Sequence, residues 1–171
     1  IYIKDVDDKL AFNSSGSSEI TNNTAITQDV WTHVAVTYLN GTIVFYINGT
    51  ADGSSAHNIG SSANSGLLYI GRDGFGVQNA LFGKMDEVRI WNIALDATGI
   101  ANLYNDAFSD PTSPASCLVA YYQMSDGSGT TLTDDSGNGN TGTLMNMDNS
   151  DWIASGAGTT SETAPVCSTL F

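Results

Sequence analysis

Four short runs in the middle of this 171-residue chain constrain its fold more than anything else in it: Trp31-Thr-His-Val-Ala-Val-Thr-Tyr38, Ile43-Val-Phe-Tyr-Ile-Asn-Gly49, Leu68-Tyr-Ile-Gly71 and Gly83-Lys-Met-Asp-Glu-Val-Arg-Ile-Trp-Asn92. Each reads as a strand closed by a turn signal. Val34, Val36 and Tyr38 alternate with the smaller Ala35 and Thr37, as a half-buried antiparallel strand requires, because successive side chains point to opposite faces. Thr42 to Ile47 does the same. Between them stands Asn40-Gly41, a pair suited to the two positive φ angles of a type I′ hairpin turn, and Asn48-Gly49 marks the next reversal. After the β-rich Val88, Ile90 and Trp91, the segment Asp96-Ala-Thr-Gly-Ile-Ala-Asn-Leu-Tyr104 predicts one short helix. Asp96 is its N-cap, and Ile100, Leu103 and Tyr104 share a face.

In this order, the runs resemble the LamG-like (laminin G / concanavalin A-like) jelly-roll family found in bacterial cell-surface and secreted proteins, over roughly half the chain. The resemblance implies an all-β antiparallel sandwich with one short helix. Tyr2 to Phe12 matches the strand pair that precedes the Trp31-type strand. The family's opening segment, with its Phe-Asp-Gly-type strand and the strand usually ending in Trp-Val, does not precede it. Residues 1–108 therefore read as the late-strand portion of a jelly roll, and 109–116, Ser-Asp-Pro-Thr-Ser-Pro-Ala-Ser, as a Pro/Ser linker. Residues 117–171 resemble the family's opening strands, with Cys117-Leu-Val-Ala-Tyr-Tyr-Gln-Met124, Asp126-Gly-Ser-Gly129, Asp135 to Gly142 and Asp151-Trp152. Strand order thus reads as permuted. Two arrangements are open: the tail completes its own sandwich, or it completes a neighbour's by strand exchange, which would build a filament.

Composition narrows the class. The chain is 41% hydrophobic, 9% aromatic and only 13% charged, which fits one folded domain of short strands and tight turns. Five Lys and Arg against 18 Asp and Glu give a net charge of −13. Such a field repels phosphate backbones and anionic membranes, so neither nucleic acid nor membrane insertion is an expected partner. No apolar run has the length to span a bilayer. Without an initial Met or a signal peptide, the chain reads as a mature product or a segment of something larger. Cys117 and Cys167 are the two cysteines, with no neighbouring His to complete a zinc pattern. Their even count in a Ser/Thr/Asn-rich, Lys-poor chain favours one disulfide in an oxidising, extracellular compartment, against the alternative of two buried thiols. Asn13, Asn22, Asn40 and Asn48 lie in N-x-Ser/Thr sequons, a pattern frequent by chance in this composition.

Calcium is the cofactor expectation. Asp134-Asp-Ser-Gly-Asn-Gly-Asn140 sets oxygen-bearing side chains at Asp134, Ser136, Asn138 and Asn140, which opens like a calcium loop. Met145 stands where an EF-hand needs its bidentate Glu, so an EF-hand is excluded, and an Asx-rich turn is the alternative reading. The family resemblance adds Asp86, at a position where related sandwiches hold a structural calcium. Asp5, Asp7, Asp8 and Asp73 are weaker candidates. No nucleophile constellation is visible around His33 or His57, and Asp86 and Glu87 are adjacent, so they point to opposite faces rather than flanking one bond. A non-enzymatic module is expected, adhering through a glycan, a surface protein or neighbouring copies of itself. Tyr121, Tyr122, Trp152, Phe75 and Trp91 are candidate sugar platforms, each with a competing reading as core.

Overall fold

The computed structural model describes residues 1–4, 7–13, 19–59, 66–72, 81–105 and 117–153. The linker 109–116, Phe75, Asp5, Asp73 and Cys167 lie outside them. Among these residues, ten strands form four small antiparallel sheets, accompanied by one helix. The first holds β1 (Tyr2–Ile3), β2 (Leu10–Phe12) and β3 (Ile20–Thr21); the second holds β4 (Val34–Leu39), β5 (Thr42–Ile47) and β6 (Thr50–Ala56).

The second sheet follows directly from its turns. Asn40 and Gly41 have φ of 49° and 79°, and Asn48 and Gly49 have 48° and 76°, so both hairpins turn through paired positive φ angles. Each two-residue turn fixes a register: Leu39 pairs with Thr42 and Val34 with Ile47, then Ile47 with Thr50. Between Val44 and Tyr46 the pairing with β6 shifts by one residue, and Gly53, at φ 119°, is one of the two β6 residues set against Phe45 in that bulge.

Period-two alternation then divides β5 between two cores. Ile43 and Phe45 are wholly buried against Leu10, with Phe12, Ile20, Ile26, Val36 and Ile47 around them, so the first sheet covers one face. Burying side chains of that size stabilises the fold by about 1.5–3 kcal/mol each. Tyr46 points the other way, into a cluster with Leu95, Ile100 and Leu103 that Ala35, Val44 and Trp91 border. The helix α1 (Ala97–Tyr104) supplies two of those residues. It begins where the sequence predicts, with the Asp96 carboxylate accepting from Gly99 N at 2.8 Å, and Asn105 Nδ2 caps the other end on Ala101 O. Tyr104 differs from expectation. It is half exposed because it lies at the last turn, against the Gly49 turn and the His33 ring rather than in the core.

β7 (Val88–Trp91) pairs antiparallel with β8 (Leu118–Tyr122) of the same chain, so the first strand of the tail segment joins the last strand of the preceding block. Val88, Ile90, Ala120 and Tyr122 pack with Leu132 and Leu144, from β9 (Thr131–Leu132) and the residue after β10 (Gly142–Thr143). One expected strand is absent. Residues 68–71 form none, and only Arg72 makes a bridge, with Leu81 N donating to Gly71 O. Leu67, Leu68 and Tyr69 are exposed, and Ile70 alone of that run packs into a core.

Candidate functional site

The Asp134 to Asn140 loop sits on the open edge of β8, and the geometry of that strand explains why. Ile90 pairs with Ala120 but Trp91 with Leu118, leaving Val119 as an extra residue whose carbonyl turns away from β7. Three side chains converge on that oxygen: Ser136 Oγ at 3.3 Å, Asn138 Nδ2 at 3.2 Å and Asn140 Nδ2 at 2.8 Å. Asn138 Nδ2 also reaches Leu118 O at 2.7 Å. Two residues along, Tyr121 N donates to Asp134 Oδ1 at 3.0 Å, and Asp135 N donates to Tyr121 O at 2.8 Å. The loop therefore performs with side chains the pairing a neighbouring strand would perform with backbone.

Asp134 is the hub. It is only 8% exposed, and besides Tyr121 it accepts from Ser136 N at 3.0 Å and Asn140 N at 2.7 Å. Burial acts to raise its pKa, but the hydrogen bonds from Ser136, Tyr121 and Asn140 outweigh that effect and hold the carboxyl below its ordinary value. Both carboxylate oxygens are thus engaged by N–H donors of the chain. Ser136, wholly buried, has its hydroxyl engaged by Asn138 N and Nδ2 as well as by Val119 O. As arranged, the side chains of this loop are spent on the edge of β8 and on one another. Asp86 lies elsewhere, partly buried before β7, with Oδ1 accepting from Glu87 N at 3.1 Å. Among the described residues no three His, Cys, Asp or Glu side chains gather in a way that could hold a metal.

A second polar cluster links β7 and β8. Tyr121 OH donates to Glu87 Oε2 at 2.5 Å, and Arg89 Nη2 bonds the same oxygen at 2.8 Å and Tyr121 OH at 3.0 Å. The guanidinium carbon lies 4.2 Å from the Tyr121 ring centroid, so charge and ring reinforce one another. Arg89 also bears on His33. Burial, with the Arg89 charge adding to it, pushes the imidazole below its ordinary pKa, and Nδ1 is buried with no hydrogen-bond partner. His33 N–H donates to Asn48 Oδ1 at 3.0 Å, which ties the entry of β4 to the second hairpin turn. His57 is buried edge-on against Phe12, 5.2 Å between centroids.

Of the aromatic candidates, Tyr121 and Tyr122 are buried, Trp91 borders the helix cluster and Trp152 packs at the edge of the β7–β8 core. Tyr121 and Tyr122 are thus core residues, whereas Trp91 and Trp152 keep part of their surface exposed. The sequence reading passed over two features. One is a cleft of about 350 Å³ between the distal half of the β4–β5 hairpin and residues 94–97. Thr37, Leu39, Thr42, Val44 and Tyr46 share one face by period two, α1 covers only the Tyr46 end, and Asp96 and Ala97 wall the rest. The alternation at 37, 39, 42 and 44 signals that face in the sequence; which part the helix leaves open depends on packing. The other is the buried Asn22, 2% exposed, whose side chain accepts from Leu10 N and donates to Thr24 O and to Asp52 Oδ2. It clamps the first sheet to β6, which makes its sequon unusable by a glycan.

The family model that matches this chain, described as the concanavalin A-like lectin/glucanases superfamily, spans residues 1–101. No curated protein matches the sequence. Among solved structures, a "putative carbohydrate binding protein" from Bacteroides ovatus is 28% identical, covers 80% of this chain and 42% of its own, and superposes with a TM-score of 0.61. An S-layer domain-containing protein from Clostridium thermocellum is 31% identical over 56% of this chain and 50% of its own, with a TM-score of 0.43. The chain thus spans half or less of the length of either structure. No helix among the described residues is long and apolar enough to cross a membrane. With well over half of its residues under one family model, and with two sheets and a helix sharing β5 as the sequence pattern requires, the chain belongs to the concanavalin A-like lectin/glucanases superfamily.

Proposed function

We propose that this chain is a non-catalytic, extracellular module that binds carbohydrate. The observation that carries this reading is the likeness to the Bacteroides ovatus protein, which extends over four-fifths of the chain at 28% identity. Surface chemistry supports it. The 350 Å³ cleft sets the hydroxyls of Thr37 and Thr42 and the carboxylate of Asp96 around an apolar floor of Val44 and Tyr46. A pyranose ring presents that combination in reverse, hydroxyls at its rim and C–H groups on its face. The net charge of −13 turns polyanions away and so favours a neutral glycan.

Two of the least exposed acids among the described residues are engaged in structure. Glu87 is bound by Arg89 and Tyr121, and Asp134 by three backbone amides. Titration of the protein with a panel of neutral oligosaccharides, followed by calorimetry, tests the reading. We expect saturable binding with no release of reducing ends. The double substitution Thr37→Val and Thr42→Val removes two hydroxyls at nearly constant volume and weakens binding about tenfold, as two hydrogen bonds of about 0.5–1 kcal/mol each imply. No binding across the panel, or cleavage of a bound sugar, would overturn the proposal.

A further inference from the structure

The edge strands of this molecule are not treated alike. On β8 the Asp134 to Asn140 loop takes up the outward backbone groups of Val119 and Tyr121. On β6, Asn23 N–H donates to Asp52 O at 2.9 Å, and the Asp52 carboxylate is held by Asn22 and Thr24. β4 is different. It is the outer strand of its sheet, and no described residue bonds to its outer side. The two-residue turn at Asn40–Gly41 makes Leu39 and Thr42 a hydrogen-bonded pair, so Leu39, Thr37 and Ala35 spend their N–H and C=O on β5. Asn48 N donating to His33 O extends the same parity. Val34, Val36 and Tyr38 consequently direct three N–H and three C=O groups outward. Edges of this kind are normally blunted by Lys, Pro or a bulge. β4 contains none of them, and its Val34, Tyr38 and Leu39 side chains are exposed.

We infer that the β4 edge is an interaction surface for a second copy of this chain, joined by antiparallel β4–β4 pairing about a two-fold axis. The register is self-complementary. With Val36 opposite its own counterpart, Val34 falls opposite the second copy's Tyr38, and every outward group of the three residues meets a partner. The side chains on the shared face pair β-branched with aromatic residues, a favourable cross-strand combination. The absence of any charge in Val34–Leu39 lets two strongly acidic chains meet along this edge without opposing like charges at the contact. An isologous contact of this type closes on itself, giving a dimer with a continuous six-stranded sheet rather than a fibre. This inference is independent of carbohydrate binding.

Sedimentation of the full chain over a range of concentration, combined with backbone amide exchange, tests it. The expected result is a monomer–dimer equilibrium that tightens as salt screens the acidic surfaces. On association the amides of Val34, Val36 and Tyr38 slow, whereas those of Ala35, Thr37 and Leu39 are already slow in the monomer. Val34→Lys, at a side chain 43% exposed and so tolerant of substitution, weakens the dimer about tenfold or more by setting a charge opposite Tyr38 twice per dimer. Val36→Pro removes an outward N–H that β5 does not use and abolishes pairing. A monomer persisting to about millimolar concentration would overturn the inference. So would a dimer that Val34→Lys leaves intact, or protection of the Val34, Val36 and Tyr38 amides that does not depend on concentration and therefore marks another occupant of the edge.

Discussion

Single residues in this protein carry loads that their types alone do not disclose. Gly41 and Gly49 both sit second in Asn-Gly turns at nearly the same φ, 79° and 76°. A Cβ on Gly41 would meet nothing within 4 Å, whereas on Gly49 it would stand 2.9 Å from Tyr104 Cβ and Cδ1. Gly41→Ala therefore costs only the left-handed backbone strain, about 1 kcal/mol, while Gly49→Ala also displaces the last turn of α1 and costs at least about 1 kcal/mol more. Chemical denaturation of the two variants checks the difference; equal losses would mean that Tyr104 moves aside freely. His33 supplies the second expectation at this scale. Its pKa is lowered in the fold, first by burial and then by Arg89, so the unfolded chain binds a proton where the native chain does not. The stability it confers is complete above the ordinary histidine value of about 6.5 and declines as pH falls through the lower folded value. Thermal unfolding should show this decline in wild type and a flatter profile in His33→Gln. Both turns are legible in the sequence as Asn-Gly pairs; the close approach of Tyr104 is not, because it depends on where an entire helix docks.

At the scale of elements, the same residue pattern supported two readings of the Asp134 to Asn140 loop, and chemistry separates them. Alternate Asp, Ser and Asn side chains with intervening glycines suit a ring of oxygens around a cation or a set of donors and acceptors along a strand edge. Sequence spacing is identical in the two cases. What differs is the polarity of whatever the loop faces, and the extra residue at Val119 in β8 offers a carbonyl where Asn138 and Asn140 can donate. Asp134→Ala should leave the amides of Tyr121, Ser136 and Asn140 without their acceptor and destabilise the protein by about 3 kcal/mol. Asn140→Ala removes one donor from Val119 O and should cost about 1 kcal/mol. If the loop is an edge cover, excess calcium and chelator give superimposable melting curves, and Asp134→Ala loses the same stability in both. A calcium-dependent rise in melting temperature that this substitution abolishes would instead make the loop a cation site. The helix and the two hairpins were readable because their signals are local: an N-cap, two Asn-Gly turns, a strict alternation. Residues 68–71 carry an equally β-rich pattern yet form no strand, since a strand requires a partner and Leu67, Leu68 and Tyr69 remain exposed.

For the molecule as a whole, the return of the chain to pair with β7 has a physical consequence at Cys117. The jelly-roll class could be read from strand succession, but the pairing of β8 with β7 joins residues separated by the linker, and no local signal encodes that contact. Cys117 immediately precedes β8, is wholly buried, and its carbonyl accepts from Asn92 N at 2.9 Å, so it anchors the tail at the point where the chain returns to the fold. A bond from Cys117 to Cys167 would enclose β8, β9, β10 and the Asp134 loop in one covalent loop. Closing a loop of about fifty residues restricts the unfolded chain by about 4 kcal/mol in the chain-entropy model, comparable to the margin by which many domains are folded. Because β7 and β8 share a core with Leu132 and Leu144, that stability should serve the tail and the preceding block together. Alkylation without reductant, followed by mass spectrometry, should find neither thiol labelled, and a peptide map should recover residues 117 and 167 in one linked fragment. Reduction should then lower the unfolding midpoint in a single cooperative transition, with exchange accelerating in β7 as much as in β8. Two labelled thiols would refute the pairing, and a reduced protein in which only residues beyond 117 loosen would show instead that the tail is held by its own contacts.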